Sequence, residues 1–123
     1  MTDFLSFEQV LEIHNEIEPW PFVLGGEAKL AGAVGQPSQT WEGVWLYPTL
    51  LHQAAVLLVH VCQAHAWENA NKRSAWMACT VFLQINGVQL TEVPTRSVVK
   101  LMTDVTNKRS NVADVVLWLA DRT

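Results

Sequence analysis

Residues 49–87 read TLLHQAAVLLVHVCQAHAWENANKRSAWMACTVFLQING, and this stretch decides the fold. After Thr49, a residue type that caps helices, the apolar positions Leu50, Leu51, Ala54, Ala55, Leu57, Leu58, Val61 and Cys62 recur at i, i+1, i+4 and i+5. That spacing gives a wide apolar face suited to a buried central helix. A second apolar helix follows with Ala75, Trp76, Cys79, Phe82, Leu83 and Ile85. Asn86-Gly87 stops it, because both residues tolerate the left-handed conformation that closes helices. The two helices are joined by nine residues, His65 to Arg73, that are far more polar than either flank.

Working outward, Ser6 followed by Gln9 is a capping box. The stripe Phe7, Val10, Leu11, Ile13 and Ile17 predicts a helix that Pro19 and Pro21 end. Residues 22–48 hold Gly25, Gly26, Gly32, Gly35 and Gly43 with Pro37 and Pro48. They read as loops around one short helix, Glu27 to Val34, with a short strand pair near Gly43 to Tyr47. The Gly32–Gly35 pair reads as a turn. Beyond Gly87, helices are expected over Thr95 to Thr106 and from Ser110 or Asn111 to Ala120. The sum is an all-α fold of about five or six helices, with the polar segment as an active-site loop between the two central ones, in a single domain spanning 1–123.

Composition narrows the function. Half of the 123 residues are apolar and 16% are charged, which argues for a packed core and against disorder. The net charge is −4 with only eight Lys and Arg, a poor balance for gripping a nucleic-acid backbone. The longest apolar candidate, Ala54 to Ala66, is broken by His60, Gln63 and His65 and falls short of the ~20 residues of a membrane span. The start, Met-Thr-Asp-Phe, lacks the features of a signal peptide, so a cytoplasmic location is expected. Cys62 and Cys79 sit among apolar residues without zinc spacing and read as buried free thiols. His14, His52 and His60 are not at metal spacing and read as helix-face or hydrogen-bonded histidines.

The connection between two core helices has no packing need for such polarity. The start of the second helix leaves backbone amides unpaired and carries partial positive charge, which makes it a natural phosphate site. Lys72 and Arg73 run against the helix dipole there, a conflict that a bound anion resolves. His65 places an imidazole, the side chain suited to base catalysis at neutral pH, just before that turn.

The segment HAWENANKR resembles the motif of the Fic/Doc family, His-x-Phe-x-(Asp/Glu)-(Ala/Gly)-Asn-(Lys/Gly)-Arg, matching at His65, Ala70, Asn71, Lys72 and Arg73. The likeness extends to Ile13-His14, to Leu46-Tyr47-Pro48-Thr49 and to Phe82-Leu83-Gln84-Ile85-Asn86-Gly87, so it covers roughly residues 7–90. The Ala-Asn-Lys-Arg form is similar to that of the Doc branch.

This resemblance implies a compact helical toxin enzyme with a short flap and a nucleotide site. By analogy His65 is the general base that deprotonates a target hydroxyl. Ala70, Asn71, Lys72 and Arg73 bind the nucleotide phosphates, and the acidic motif position holds Mg²⁺. The Doc form further implies transfer of the terminal phosphate of ATP to a Ser or Thr hydroxyl of elongation factor Tu. That reaction arrests translation and is held in check by a small Phd-like antitoxin. Transfer of AMP, as in most Fic proteins, is the alternative enzyme reading. A relative that acts only by protein binding is the alternative without chemistry.

Two positions depart from the motif. Trp67 stands at the phenylalanine anchor. Asn69 stands at the acidic position, with Glu68 immediately before it. Three outcomes are open: Glu68 reaches the metal, Asn69 holds it weakly, or activity is reduced. Trp67, Trp76 and Trp118 are expected in the core. Trp20, Trp41 and Trp45 fall in the Gly/Pro-rich region, from which the family's flap beside the active site is drawn. They either pack or serve as anchors for a partner. Asn107 to Arg109 repeats Asn-Lys-Arg near a helix end, where cations suit the dipole.

Overall fold

The computed structural model describes residues 1–123. Six helices follow in order: α1 (Phe7–Ile17), α2 (Gly26–Gly35), α3 (Leu50–Ala64), α4 (Asn71–Ile85), α5 (Thr95–Thr106) and α6 (Val112–Ala120). A two-residue antiparallel pair, β1 (Thr40–Trp41) and β2 (Val44–Trp45), is the one sheet, with Thr40 opposite Trp45. The architecture is all-α, as the periodicity predicts.

Helix α3 runs through the middle and packs against α2, α4, α5 and α6. Seven successive residues, Gln53 to Val59, are buried on it, so it is enclosed on every side rather than on one stripe. The polar member, Gln53, has its bonds satisfied: its amide nitrogen donates to the Tyr47 carbonyl at 2.9 Å, and its oxygen accepts from Thr2 Oγ1 at 3.1 Å. Capping follows the sequence. Ser6 and Gln9 form the expected box, Thr49 Oγ1 accepts from His52 N, and Asn111 and Asp114 form a second box at α6. At the far end of α4, Asn86 and Asp3 exchange hydrogen bonds of 2.7 and 2.9 Å, and Gly87 takes a φ of +83°. No helix is long and apolar enough to cross a membrane.

The Gly/Pro-rich region differs from expectation in two ways. Gly32 and Gly35 lie inside α2 rather than in a turn. The hairpin spans Thr40–Trp45 rather than Gly43 to Tyr47 and turns at Glu42-Gly43, where both residues adopt positive φ. Trp45 packs at a tilt on Phe4 at 5.1 Å, and Phe4 stacks on Phe82 of α4 at 6.0 Å. The two-residue hairpin is the short flap of the fold, and Pro21 to Val23 also run beside the His65–Arg73 loop. Trp41 is 72% exposed, and Trp20 and Trp45 are also exposed. Trp67 is enclosed, whereas Trp76 and Trp118 are half-buried and meet edge-on at 5.7 Å.

Candidate active site

Helix α3 ends at Ala64, and His65 turns the chain by adopting the left-handed conformation, φ 46° and ψ 48°. Five residues later Ala70 does the same, φ 65° and ψ 19°. Neither is glycine, so each carries a backbone cost that the surroundings must hold in place. The loop between them is held by three devices.

The first is a strip of backbone pairing. Val23 N donates to Ala66 O at 2.9 Å, and Glu68 N donates to Pro21 O at 3.0 Å, around an antiparallel bridge between Phe22 and Trp67. The second is the Trp67 ring, which is sandwiched. His14 stacks on it at 3.8 Å with an interplanar angle of 4°, and Phe22 stacks at 5.8 Å. The larger ring thus fills the anchor position that the motif gives to phenylalanine. The third is Asn71, whose carboxamide spans Trp67: its oxygen accepts from Trp67 N at 3.1 Å and its nitrogen donates to Trp67 O at 2.9 Å.

His14 is itself fully buried and ties α1 to this assembly. Its Nε2 lies 3.0 Å from the Trp20 carbonyl, which only accepts, so Nε2 carries the proton. Its Nδ1, 2.8 Å from Ser74 Oγ, then accepts from that hydroxyl on α4. Burial, with a smaller contribution from the Arg73 charge, lowers its pKa from the ordinary value, while the bond to Trp20 opposes the shift.

The result is one cavity of about 200 Å³ lined by His65, Glu68, Asn69, Ala70, Asn71, Lys72 and Arg73, with Cys62 and Thr106 closing it from α3 and α5. The residues expected as base, phosphate ligands and metal ligands therefore meet in one place. Asn71 enters differently from expectation: its side chain shapes the loop, so its backbone amide is what faces the helix start. The amides of Asn71, Lys72 and Arg73 have no backbone acceptor, and α4 has no side-chain cap. Arg73 reaches Glu18 Oε1 at 3.2 Å, and the Trp20 indole donates to the other Glu18 oxygen. Those two partners hold the Glu18 carboxyl below its ordinary range.

The donor chemistry suits phosphate: three free amides at a helix N-terminus, a lysine and an arginine. It also suits Mg²⁺, which takes one or two carboxylates and completes its shell with phosphate oxygens and water. Glu68 is exposed on the cavity wall, whereas the Asn69 side-chain oxygen already accepts from Ala70 N at 2.7 Å. Beyond Lys72 and Arg73, which line both spaces, a mostly apolar cavity of about 700 Å³ opens between α4 and α5.

The sequence reading missed Gly26, Pro21 to Val23 and Thr106. A Cβ on Gly26 would lie 2.0 Å from the Ala66 carbonyl oxygen, so the start of α2 touches the motif loop directly. The Gly25-Gly26 pair was its only trace in the sequence, and Thr106 left none. His52 stacks on Tyr47, and His60 lines a groove on the α2 side of His65. The second Asn-Lys-Arg closes α5, where Lys108 turns left-handed and Arg109 lies 3.9 Å from Asp104. Both cysteines are buried and free, and burial pushes the Cys79 thiol up to about 12.

The helical fold, the loop between two central helices and the assembled motif define a Fic-type domain, and residues 4–83 match the Fic/DOC family. The chain belongs to that family. Among its relatives, Toxin Doc of Mycolicibacterium smegmatis (strain ATCC 700084 / mc(2)155) is 42% identical over 96 residues, 73% of this chain and 69% of the relative.

Proposed function

We propose that this protein is a Doc-type toxin that transfers the terminal phosphate of ATP to a Ser or Thr hydroxyl of a target protein, with elongation factor Tu as the expected target. The observation that carries the reading is the convergence of His65 with the open start of α4, Lys72 and Arg73 in one cavity. Lys72, at the position where Doc-like motifs carry lysine, favours phosphate transfer over AMP transfer.

In this reading the amides of residues 71–73, with Lys72 and Arg73, bind the transferring phosphoryl group and offset its charge. Fixed dipoles and cations aimed at developing charge supply the largest catalytic effect in such sites. His65 accepts the proton of the attacking hydroxyl. Arg73 must leave Glu18 to engage phosphate. That pair is exposed and screened by solvent, so the exchange costs little. Glu68, with the Asn69 carbonyl beside it, is the carboxylate that would hold Mg²⁺, whose role is to neutralise charge between phosphate oxygens. The nucleoside of ATP lies in the apolar 700 Å³ cavity, a size and character usual for small-molecule sites. A Phd-like antitoxin is the expected natural inhibitor.

The test is label transfer to elongation factor Tu and to cell lysate, with ATP labelled at the terminal or at the α-phosphate and His65→Ala as control. Terminal label alone supports the kinase reading. α-Label moves the protein to AMP transfer, and no label from either points to a family member that acts by binding only.

A further inference from the structure

Cys62 and Thr106 are the two residues on the wall of the phosphate cavity that lie outside the motif segment. Thr106 is the single α5 residue there. A helical threonine ordinarily turns its hydroxyl back to a carbonyl of the preceding turn. Thr80 does so in α4, donating to Met77 O at 3.0 Å. Thr106 does not. Its one side-chain hydrogen bond runs across to Cys62 Sγ at 3.2 Å. The place of this residue is fixed from the same helix, because Gln63 Nε2 donates to the neighbouring Val105 carbonyl at 3.0 Å.

The direction of the Cys62–Thr106 bond decides what the hydroxyl can offer. Cys62 is fully buried, and burial pushes its thiol up, so the sulfur keeps its hydrogen at neutral pH. If that thiol only accepted, its S–H would lie in the core without a partner. Donating to Thr106 Oγ1 satisfies it. The hydroxyl hydrogen of Thr106 is then free for an acceptor in the cavity. The C-terminal end of a helix ordinarily repels anions through its unpaired carbonyls. In α5 those carbonyls are taken: Thr103 O accepts from Asn107 N, Asp104 O from Arg109 N, and Val105 O from Lys108 N.

We infer that Thr106 is a further phosphate ligand, whose hydroxyl donates to a phosphate oxygen of the bound nucleotide beside Lys72 and Arg73. The inference rests on the nucleotide reading above. It adds α5 to the site as a third helix. A neutral donor to an anion makes a strong, charge-assisted hydrogen bond. It does so without a further cation at a helix start that already carries two.

The experiment is calorimetric titration of Thr106→Val and Thr106→Ser with ATP and Mg²⁺, in the absence of any acceptor protein. Thr106→Val keeps the shape of the side chain and loses the hydroxyl. Its Kd for ATP should rise by about tenfold or more, the size of one lost hydrogen bond to a charged group. Thr106→Ser keeps the hydroxyl and should bind ATP like the unaltered protein. Thr106→Ala is titrated beside them, so that a valine variant that fails to fold leaves the test standing. Unchanged ATP affinity in the valine and alanine variants overturns the inference and leaves the transfer reading intact. A loss in Thr106→Ser as large as that in Thr106→Val overturns it as well, because the hydroxyl then carries none of the effect. If the unaltered protein binds no ATP, the nucleotide reading and the role of Thr106 fall together.

Discussion

Asn71 closes a two-way hydrogen bond with the backbone of Trp67, accepting from its amide at 3.1 Å and donating to its carbonyl at 2.9 Å. The side chain thereby stands in for a strand partner and fixes the span from the His65 turn to the start of α4. Asn71→Ala leaves both backbone groups unpaired in a half-buried place. A buried group left unsatisfied costs about 1–3 kcal/mol, so this variant should melt several degrees below the unaltered protein. Asn71→Asp keeps the acceptor and loses the donor, and should fall between the two. Thermal denaturation by circular dichroism checks the order. Equal melting temperatures for all three would separate Asn71 from loop geometry.

Gly26 and Gly32 occupy the same helix and should respond in opposite directions. A Cβ at Gly26 collides with the Ala66 carbonyl, and backbone does not yield as a flexible side chain does. Gly26→Ala should cost about 2 kcal/mol or more and displace the motif loop. Gly32→Ala meets open space and should gain up to about 1 kcal/mol from helix propensity. Chemical denaturation midpoints of the two variants decide this. Equal effects would mean that the contact with Ala66 is relaxed in solution.

His14 makes stability depend on pH. Its burial lowers its pKa below the ordinary histidine value of 6.5, and burial does the same to His60. The unfolded chain therefore binds protons more readily than the folded one below that value. The stabilising difference is complete above pH 6.5 and is lost as pH falls toward the folded-state values. His14→Gln should lower stability at neutral pH but flatten the slope, leaving the part due to His60. A slope that His14→Gln does not change would place the titration elsewhere.

The proposed Mg²⁺ site assigns the acidic motif position to Glu68, with Asn69 beside it. If Glu68 supplies the carboxylate for Mg²⁺, Glu68→Gln should raise the Mg²⁺ concentration for half-maximal activity by at least about tenfold, a shift that outer-shell changes alone can produce. Asn69→Asp should lower it, by restoring a second carboxylate next to the phosphates. Titration of activity with Mg²⁺ reads both. A strong loss in Asn69→Ala with none in Glu68→Gln would reverse the assignment.

Much of this was legible in the sequence because it rests on local rules. The apolar spacing of Leu50 to Cys62 and Ala75 to Ile85, the caps at Ser6, Thr49 and Asn111, and the stop at Asn86-Gly87 are written within a few residues of where they act. So is the polar loop, whose cations oppose the helix dipole. What stayed hidden depends on approach between distant segments. Nothing in Gly26 announces the Ala66 carbonyl 40 positions away, and nothing in Thr106 places it at the cavity. The seat of the hairpin is hidden for the same reason. Its turn chemistry marked a hairpin, but nothing local to Trp45 announces the Phe4 ring it packs on.

The most direct test of the central claim is the intact mass of elongation factor Tu after incubation with this protein, ATP and Mg²⁺, beside a reaction with His65→Ala. The account predicts the gain of one phosphoryl group with the unaltered protein and no gain with the variant. A gain of one adenylyl group, or the same gain with His65→Ala, would contradict it.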